Sequence, residues 1–414
     1  MNICMLSRAM PIHCLGGMEI NTLRLAKKLV KHNHEVTILT TSYPNSLNDD
    51  SVDVVEGVKI YYIGSCSPGK YSKEFGAKSV DIFMKLHKDT PFDIVHSQNS
   101  SSLYLYRRGI FKKYNLPHVI TWHGTHLDWI LTSICSDIAK IGRVRKGIMD
   151  TLVHIYRLLI NDIWLTRSAD AVIALDKEAA FKIKVQYLAS RKKVYEIYTG
   201  VDIAKFYPTK NRNIRAKLGM SDDDFVLLCV GRIVYEKGFQ NALVALTKLL
   251  KLFPDIKLII VGDGPFKSEL EIMTKKLNVA SNVIFTGRIS DEDLLLQYIN
   301  SCDLFINPIL HISSFNTTLA EAMACGKVVI TSRTGGVSTL ITNWHNGILI
   351  NRGSVSDLVN AIKKIRNNPS LARMLGKNAR DTIVTKFNID MMIRKYIKLY
   401  EKLIAKRGRR EVCV

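Results

Sequence analysis

Short runs of branched apolar residues alternate with longer stretches in which apolar positions recur every three or four residues, from one end of the 414-residue chain to the other. The short runs read as strands. In the first half they are Asn2–Leu6, Glu35–Thr40, Val58–Ile63, Asp93–His96, His118–Thr121, Ala171–Ala174 and Val194–Tyr198; in the second, Phe225–Val230, Lys257–Val261, Val283–Thr286, Leu304–Asn307, Val328–Thr331 and Ile348–Ile350. Many are unbroken Val, Ile and Leu, the pattern of parallel strands covered on both faces. The stretches between them, such as Ile20–Lys31 and Asn241–Leu252, carry helical spacing. Strand–helix alternation on this scale predicts an α/β protein with parallel sheets. The pattern restarts near residue 222, after the polar stretch Pro208–Asp224 with its short helical piece Ile214–Leu218. Two domains are therefore expected, residues 1–207 and 208–387. A helix over 388–405 is expected to pack back on the first domain, and a basic tail, 406–414, to be mobile.

Composition narrows the class. Apolar residues are 47% of the chain, enough for a full core in each domain without staples. The eight cysteines include no C-x-x-C pair, which argues against a zinc ribbon or a dithiol redox motif and suits a reducing compartment. The start, MNICMLSRAM, reads as a buried strand and not as a leader, and no window holds about 18 uncharged apolar residues. A cytoplasmic protein is expected. The net charge is +22, and residues 361–414, with fifteen Lys and Arg against four Asp and Glu, carry +11 of it. Nucleic acid, an anionic membrane or an acidic substrate could balance such charge. No module interleaving aromatic and basic residues is present, so nucleic acid is not expected as a partner. Segment Ser133–Trp164 sets Lys140, Arg143, Arg145, Lys146 and Arg157 among Ile, Val, Leu and Met. It reads equally as a domain-surface helix and as one lying on anionic lipid, and weak, salt-sensitive association with the cytoplasmic face of a membrane is expected.

The chemistry-bearing residues cluster where strands end. After the first strand, Gly16 and Gly17 precede a helix, a turn that lets backbone approach a phosphate beside free N–H groups; the same pair also serves ordinary turns. After Phe225–Val230 come Gly231-Arg232 and then Glu236-Lys237-Gly238. Two cations in a loop at a strand's carboxyl end suit a diphosphate, Arg as a fork and Lys as a point charge. Gly262-Asp263-Gly264-Pro265 and Gly287-Arg288 end the next two strands. Ser313, Asn316, Thr317 and Thr318 then open a helix carrying Glu321, with N–H groups and hydroxyls for an anion and a carboxylate within about a turn. In the first half His123 follows a buried strand and precedes Gly124, where an imidazole can reach a cleft, although a lone histidine there is more often structural.

Taken in order, these motifs resemble the family 4 retaining glycosyltransferases of GT-B fold over nearly the whole chain. The similarity rests on Leu15-Gly16-Gly17-Met18-Glu19, Asp93–His96, Trp122–Thr125, Ala169–Ala174, Gly200-Val201-Asp202, Val230-Gly231-Arg232 with Glu236-Lys237-Gly238, Gly262–Pro265, Phe285–Arg288, Glu321–Gly326, Gly335-Gly336 and Asn346-Gly347. The resemblance implies two Rossmann-like domains facing each other across a cleft. It implies that Arg232 and Lys237 bind the diphosphate of a UDP-, GDP- or ADP-sugar, that Glu321 holds the ribose, and that backbone near Arg288 reads the base. Gly16 and Gly17 would approach the phosphate from the opposite domain, and His123 would lie beside the reacting sugar. The reaction implied is transfer of a hexosyl or N-acetylhexosaminyl unit to a glycan or lipid-linked acceptor with retention, the leaving phosphate helping to deprotonate the acceptor, with no cofactor and no metal. Three positions depart from the family pattern: Ser313 stands where a donor-sugar glutamate is usual, Ser338-Thr339 where Pro-Glu is usual, and Asp176 near a position usually held by serine. Ser313 gives the alternative expectation, a catalytically impaired nucleotide-sugar-binding homologue or assembly subunit.

Overall fold

The computed structural model describes the chain apart from residues 15, 45–48, 126–127, 129–151, 154, 210–212, 311–314 and 412–414. The described residues form two compact units, 1–198 with 392–414, and 199–391.

The first unit is built on an eight-stranded sheet. Its strands are β1 (Asn2–Leu6), β2 (Glu35–Thr41), β3 (Ser51–Val55), β4 (Val58–Ile63), β5 (Ile94–Gln98), β6 (His118–Trp122), β7 (Ala171–Ala174) and β8 (Val194–Glu196). They lie in the order β3-β4-β2-β1-β5-β6-β7-β8. All pairs are parallel except β3 with β4, a hairpin at the sheet's edge. Every residue of β5, β6 and β7 is buried, which is why these strands read as continuous rather than alternating runs. The strand that the sequence reading lacked is β3. Val52 and Val54 are exposed on it, so its pattern gives no buried face to detect, and its place is set by pairing with β4.

The second unit has six parallel strands: β9 (Phe225–Val230), β10 (Ile256–Val261), β11 (Val283–Gly287), β12 (Leu304–Asn307), β13 (Val328–Ser332) and β14 (Ile348–Ile350). Their order, β11-β10-β9-β12-β13-β14, is the doubly wound arrangement, with its direction reversing between β9 and β12. Leu227, Leu258, Ile260, Leu304, Ile306 and Ile330 pack against Leu243, Leu246, Leu249 and Ile362 of the helices Phe239–Leu250 and Val355–Arg366. Each such side chain contributes about 1.5–3 kcal/mol on leaving water. Cys229, Cys302 and Cys325 behave as small hydrophobes here, and burial pushes the latter two thiols up to about 12.

Two boundaries differ from the sequence reading. The units divide between Tyr198 and Thr199, not at 207/208. Val201 donates its N–H to the Phe387 carbonyl (2.8 Å) and accepts from Ile389 N–H (3.0 Å), so this segment is tied to the second unit before the polar stretch begins. Much of that polar stretch is anchored as well. Arg215, fully buried, donates to the carbonyls of Ser301, Asp222 and Asp224 and pairs with Asp303 at 2.8 Å. The second difference is the basic tail. The last helix runs from Ile389 to Glu411, and Arg407 forks onto both Asp170 oxygens at 2.8 and 2.9 Å. A partner 237 residues away in sequence, which local charge does not reveal, makes this stretch helix instead of mobile tail.

Candidate active site

The site of the second unit begins at the reversal of strand order, where the loops leaving neighbouring strands diverge and open a crevice at the carboxyl edge. Gly231 and Arg232 leave β9; a short 3-10 turn, Tyr235–Lys237, follows; Gly238 then starts the Phe239–Leu250 helix in the left-handed region (φ 73°). A Cβ at Gly238 would stand 1.9 Å from the Pro308 carbonyl oxygen, so only glycine lets the two loops meet. Leu310 N–H donates to the Glu236 carbonyl at 2.8 Å and binds the loop after β12 to the loop after β9. On the other side Gly262 (φ 144°) brings its backbone to Gly231, where a Cβ would meet the Gly231 oxygen at 2.0 Å, and Ile233 N–H donates to the Asp263 carbonyl at 2.8 Å. Three strand-end loops are thus laced into one rim.

Within that rim Arg232 is exposed and Lys237 half-buried. The Lys237 stem folds back over Gly231, its Cε 3.7 Å from where a Cβ would sit. Enclosure by surrounding protein, then the nearby Arg232 charge, pushes the Lys237 ammonium below its ordinary value. Among the described residues neither Arg232 nor Lys237 makes an ion pair or a side-chain hydrogen bond. Two cations that repel each other, neither paired with a carboxylate among the described residues, form a site that gains by binding an anion.

The helix Thr317–Ala324 follows the loop after β12. Asn316 caps it: its carboxamide oxygen accepts from Leu319 N–H (3.1 Å) and from the Thr318 hydroxyl (3.0 Å). Thr317 is half-buried at the first position, and Glu321 is buried one turn further on. Ser313 lies outside the described residues. Arg288 is exposed just past Gly287, at the end of the edge strand β11, two strands from β9. Sequence reasoning missed Ser332 and Thr334. These buried hydroxyls at the carboxyl end of β13 have no hydrogen-bond partner among the described residues. Their signal was slight, two small polar residues just before Gly335-Gly336. Among the described residues no group of three or more His, Cys, Asp or Glu side chains is placed to hold a metal ion.

The first unit gathers a second set. Gly16, extended at φ −128°, precedes the helix Gly17–Lys31 at the reversal between β1 and β5. Asn99, in the turn after β5, donates to Met18 Sδ (3.4 Å) and accepts from His123 N–H (2.9 Å), joining the glycine turn to the end of β6. His123 Nε2 lies 2.7 Å from Gln98 Oε1. Burial lowers the His123 imidazole to about 4, so the ring is neutral at physiological pH. Gln98 and Asn99 were not singled out from sequence; they are polar residues at the end of an apolar run, and only the sheet order puts them beside His123. Asp176, the third departure from the family pattern, is explained locally. Its carboxylate accepts from Ala179 N–H (2.7 Å) and caps the helix Lys177–Gln186, as a serine would. Ser338 and Thr339 lie in a single helical turn, Val337–Leu340.

Comparison with known proteins agrees with this architecture. Residues 15–205 match the family described as glycosyltransferase family 4, and residues 210–382 the one described as glycosyl transferases group 1. The alpha-monoglucosyldiacylglycerol synthase of Streptococcus pneumoniae is 28% identical, over 81% of this chain and 72% of that protein. Among solved structures, sucrose-phosphate synthase from Thermosynechococcus elongatus superposes with TM-score 0.80 at 23% identity, covering 98% of this chain and 99% of that one. The Anabaena HepE protein in complex with UDP-glucose superposes with TM-score 0.74 at 19% identity, covering 97% and 100%. The chain belongs to the family 4 glycosyltransferases of GT-B fold. It is a transferase that takes sugar from a nucleotide-sugar donor.

Proposed function

We propose that the protein is a retaining glycosyltransferase that moves a hexosyl or N-acetylhexosaminyl unit from a nucleoside diphosphate sugar to a glycan or lipid-linked acceptor, without metal or other cofactor. The observation that carries this reading is the pair of cations in the β9 loop, Arg232 and Lys237, neither of them neutralised by a carboxylate among the described residues. They stabilise the charge that grows on the diphosphate as the glycosidic bond breaks, a kind of contribution that is commonly the largest in catalysis. The leaving phosphate oxygen, on the face from which the acceptor attacks, takes the acceptor's proton. Glu321 holds the ribose, the Gly287–Arg288 turn lies against the base, and His123 orients the sugar. Gly16 and Gly17 bring backbone N–H groups to the phosphate. UDP is the first base to test, since HepE is a fold neighbour in complex with UDP-glucose.

The acceptor side of the reading rests on the first unit. Tyr156, Leu159, Ile160 and Trp164 on one helical stretch, Phe181 and Val185 on the next and Leu188 just past its end expose apolar side chains, and Arg157 and Arg167 lie on the first stretch. Exposed apolar and basic residues of this kind suit weak binding to anionic lipid at the cytoplasmic face, and a lipid-linked acceptor would be met there. No helix among the described residues is long and apolar enough to cross a membrane. Much of the Ser133–Trp164 segment lies outside the described residues.

Thermal unfolding with UDP-, GDP- and ADP-sugars tests the donor. A ligand at about 100 times its Kd adds about 2.7 kcal/mol to the unit that binds it. A rise in Tm with one nucleotide series is expected, and no rise with any would refute the donor site. The anomeric configuration of the product by NMR tests retention. Flotation with phosphatidylglycerol vesicles at low and high salt tests the membrane reading, which fails if nothing floats at low salt.

A further inference from the structure

Resting on the reading of His123 as the imidazole beside the sugar, we propose that Gln98 is its positioning residue. Gln98 sets which ring nitrogen carries the proton, and a buried side-chain string running to the final helix holds Gln98 in place.

The string is continuous. Tyr400, on the helix Ile389–Glu411, hydrogen-bonds His96 Nδ1 at 2.7 Å. His96 Nε2 meets Thr121 Oγ1 at 2.8 Å, and the Gln98 amide nitrogen stands 3.4 Å from the same ring atom. The Gln98 carboxamide oxygen then faces His123 Nε2 at 2.7 Å. A carboxamide oxygen only accepts, so a neutral His123 must place its proton on Nε2 and direct it at Gln98. The ring is held from a second side by its own backbone, whose N–H donates to Asn99 Oδ1. His96, Gln98, Thr121 and Tyr400 are buried, so each polar atom of the string is hard to redirect without leaving another unpaired.

The chemistry of the partner matters. An Asp or Glu at this place would attract a proton onto the imidazole and make it a cation. Glutamine orients the ring and leaves it neutral. The titratable groups around the string are also neutral or already paired: His96 and Tyr396 are fully enclosed, Tyr400 is held protonated by burial, and Asp128, beyond His123, is bonded to Thr125 and Lys182. A neutral ring can orient an uncharged sugar through hydrogen bonds without bringing a charge of its own.

The test is NMR of the histidine rings in the full-length protein, with the His123 signals identified by their loss in His123→Ala. The wild-type ring is expected as the Nε2–H tautomer with no protonation between pH 5 and 8. In Gln98→Glu the ring should titrate within that window, and the pH profile of kcat should gain a limb at the same pH. In Gln98→Ala the tautomer should become mixed. The kcat should fall roughly 10- to 100-fold, the scale seen when a residue orienting a site imidazole is lost, with the donor KM little changed. Tyr400→Phe, which keeps the ring and its packing, should give a smaller change in the same direction and serves if Gln98→Ala fails to fold. An Nδ1–H tautomer in the wild type, or an unchanged tautomer and kcat in Gln98→Ala, overturns the proposal. The tautomer is read without substrate. If His123→Ala transfers sugar at the wild-type rate, the role of His123 fails, while the link from Gln98 to its ring still stands or falls on the spectra.

Discussion

Both units lay their first parallel strands in the same order, β4-β2-β1-β5 in one and β11-β10-β9-β12 in the other, yet they treat polar side chains at the strand ends in opposite ways. The second unit puts its cations on the loops and leaves them unpaired among the described residues, as with Arg232 and Lys237. The first unit buries its imidazoles and keeps them neutral: His96 within β5, His118 at the start of β6 and His123 just past the end of β6. The proposed roles account for the difference. A diphosphate carries charge and would be bound by charge; a sugar ring does not, and would be oriented by neutral hydrogen bonds. One α/β scaffold serves both because its strand-end loops are free to vary while its sheet is not.

The contrast is broken most severely by removing charge from the second unit. Lys237→Ala and Arg232→Ala should each lower kcat/KM on the order of 10²- to 10³-fold and abolish the rise in Tm with donor, while the Tm of the free protein changes little. Because Lys237 is pushed down by enclosure and by Arg232, its loss should relieve repulsion in the free enzyme; a clear drop in the free protein's Tm would mean that the pair has a structural role instead.

Acid separates the units by a smaller amount. His96 and His118 lie at about 3 and His123 at about 4, all below the value of 6.5 they recover on unfolding. Unfolded chain therefore binds protons that folded chain refuses. The stability these residues carry is intact above about pH 6.5 and is lost as pH falls toward their folded values, at up to about 1.4 kcal/mol per pH unit for each residue. Hydrogen exchange at pH 7 and pH 5 should show β5 and β6 loosening while β9, β10 and β12 hold. Equal loosening in both units would show that the buried imidazoles are not the acid-sensitive element.

The smallest effects belong to contacts that only complete the frame. Asp176→Ala removes a helix cap and should cost about 1 kcal/mol, with Asp176→Ser recovering most of it. Arg407→Ala breaks the fork onto Asp170 and should cost about 1 kcal/mol or less, since the pair keeps some exposure. Chemical denaturation measures both, and neither should alter donor affinity.

Much of the fold was legible in the chain because parallel, doubly covered strands leave unbroken apolar runs. All thirteen runs read as strands became strands, and the one missed, β3, has no buried face. The loop carrying Arg232 and Lys237 and the helix carrying Glu321 were legible because glycine and charge recur at strand ends and small polar residues open helices. What was not legible concerns partners distant in sequence. Arg407 reads as tail until Asp170 receives it, and Pro208–Asp224 reads as linker until Arg215 is buried against Ser301 and Asp303. Gln98 had no distinguishing mark at all.

The alternation of apolar runs and helical spacing by itself determined the class of fold, the sheets and the loops where charge would gather, because these follow from which residues must leave water. Only the tertiary structure decided which polar atoms are spent on one another and which remain for a ligand. That depends on how strands and helices lie side by side: strand order brings Gln98 to His123, and the packing of the final helix brings Arg407 to Asp170, across distances in the chain that no local pattern records.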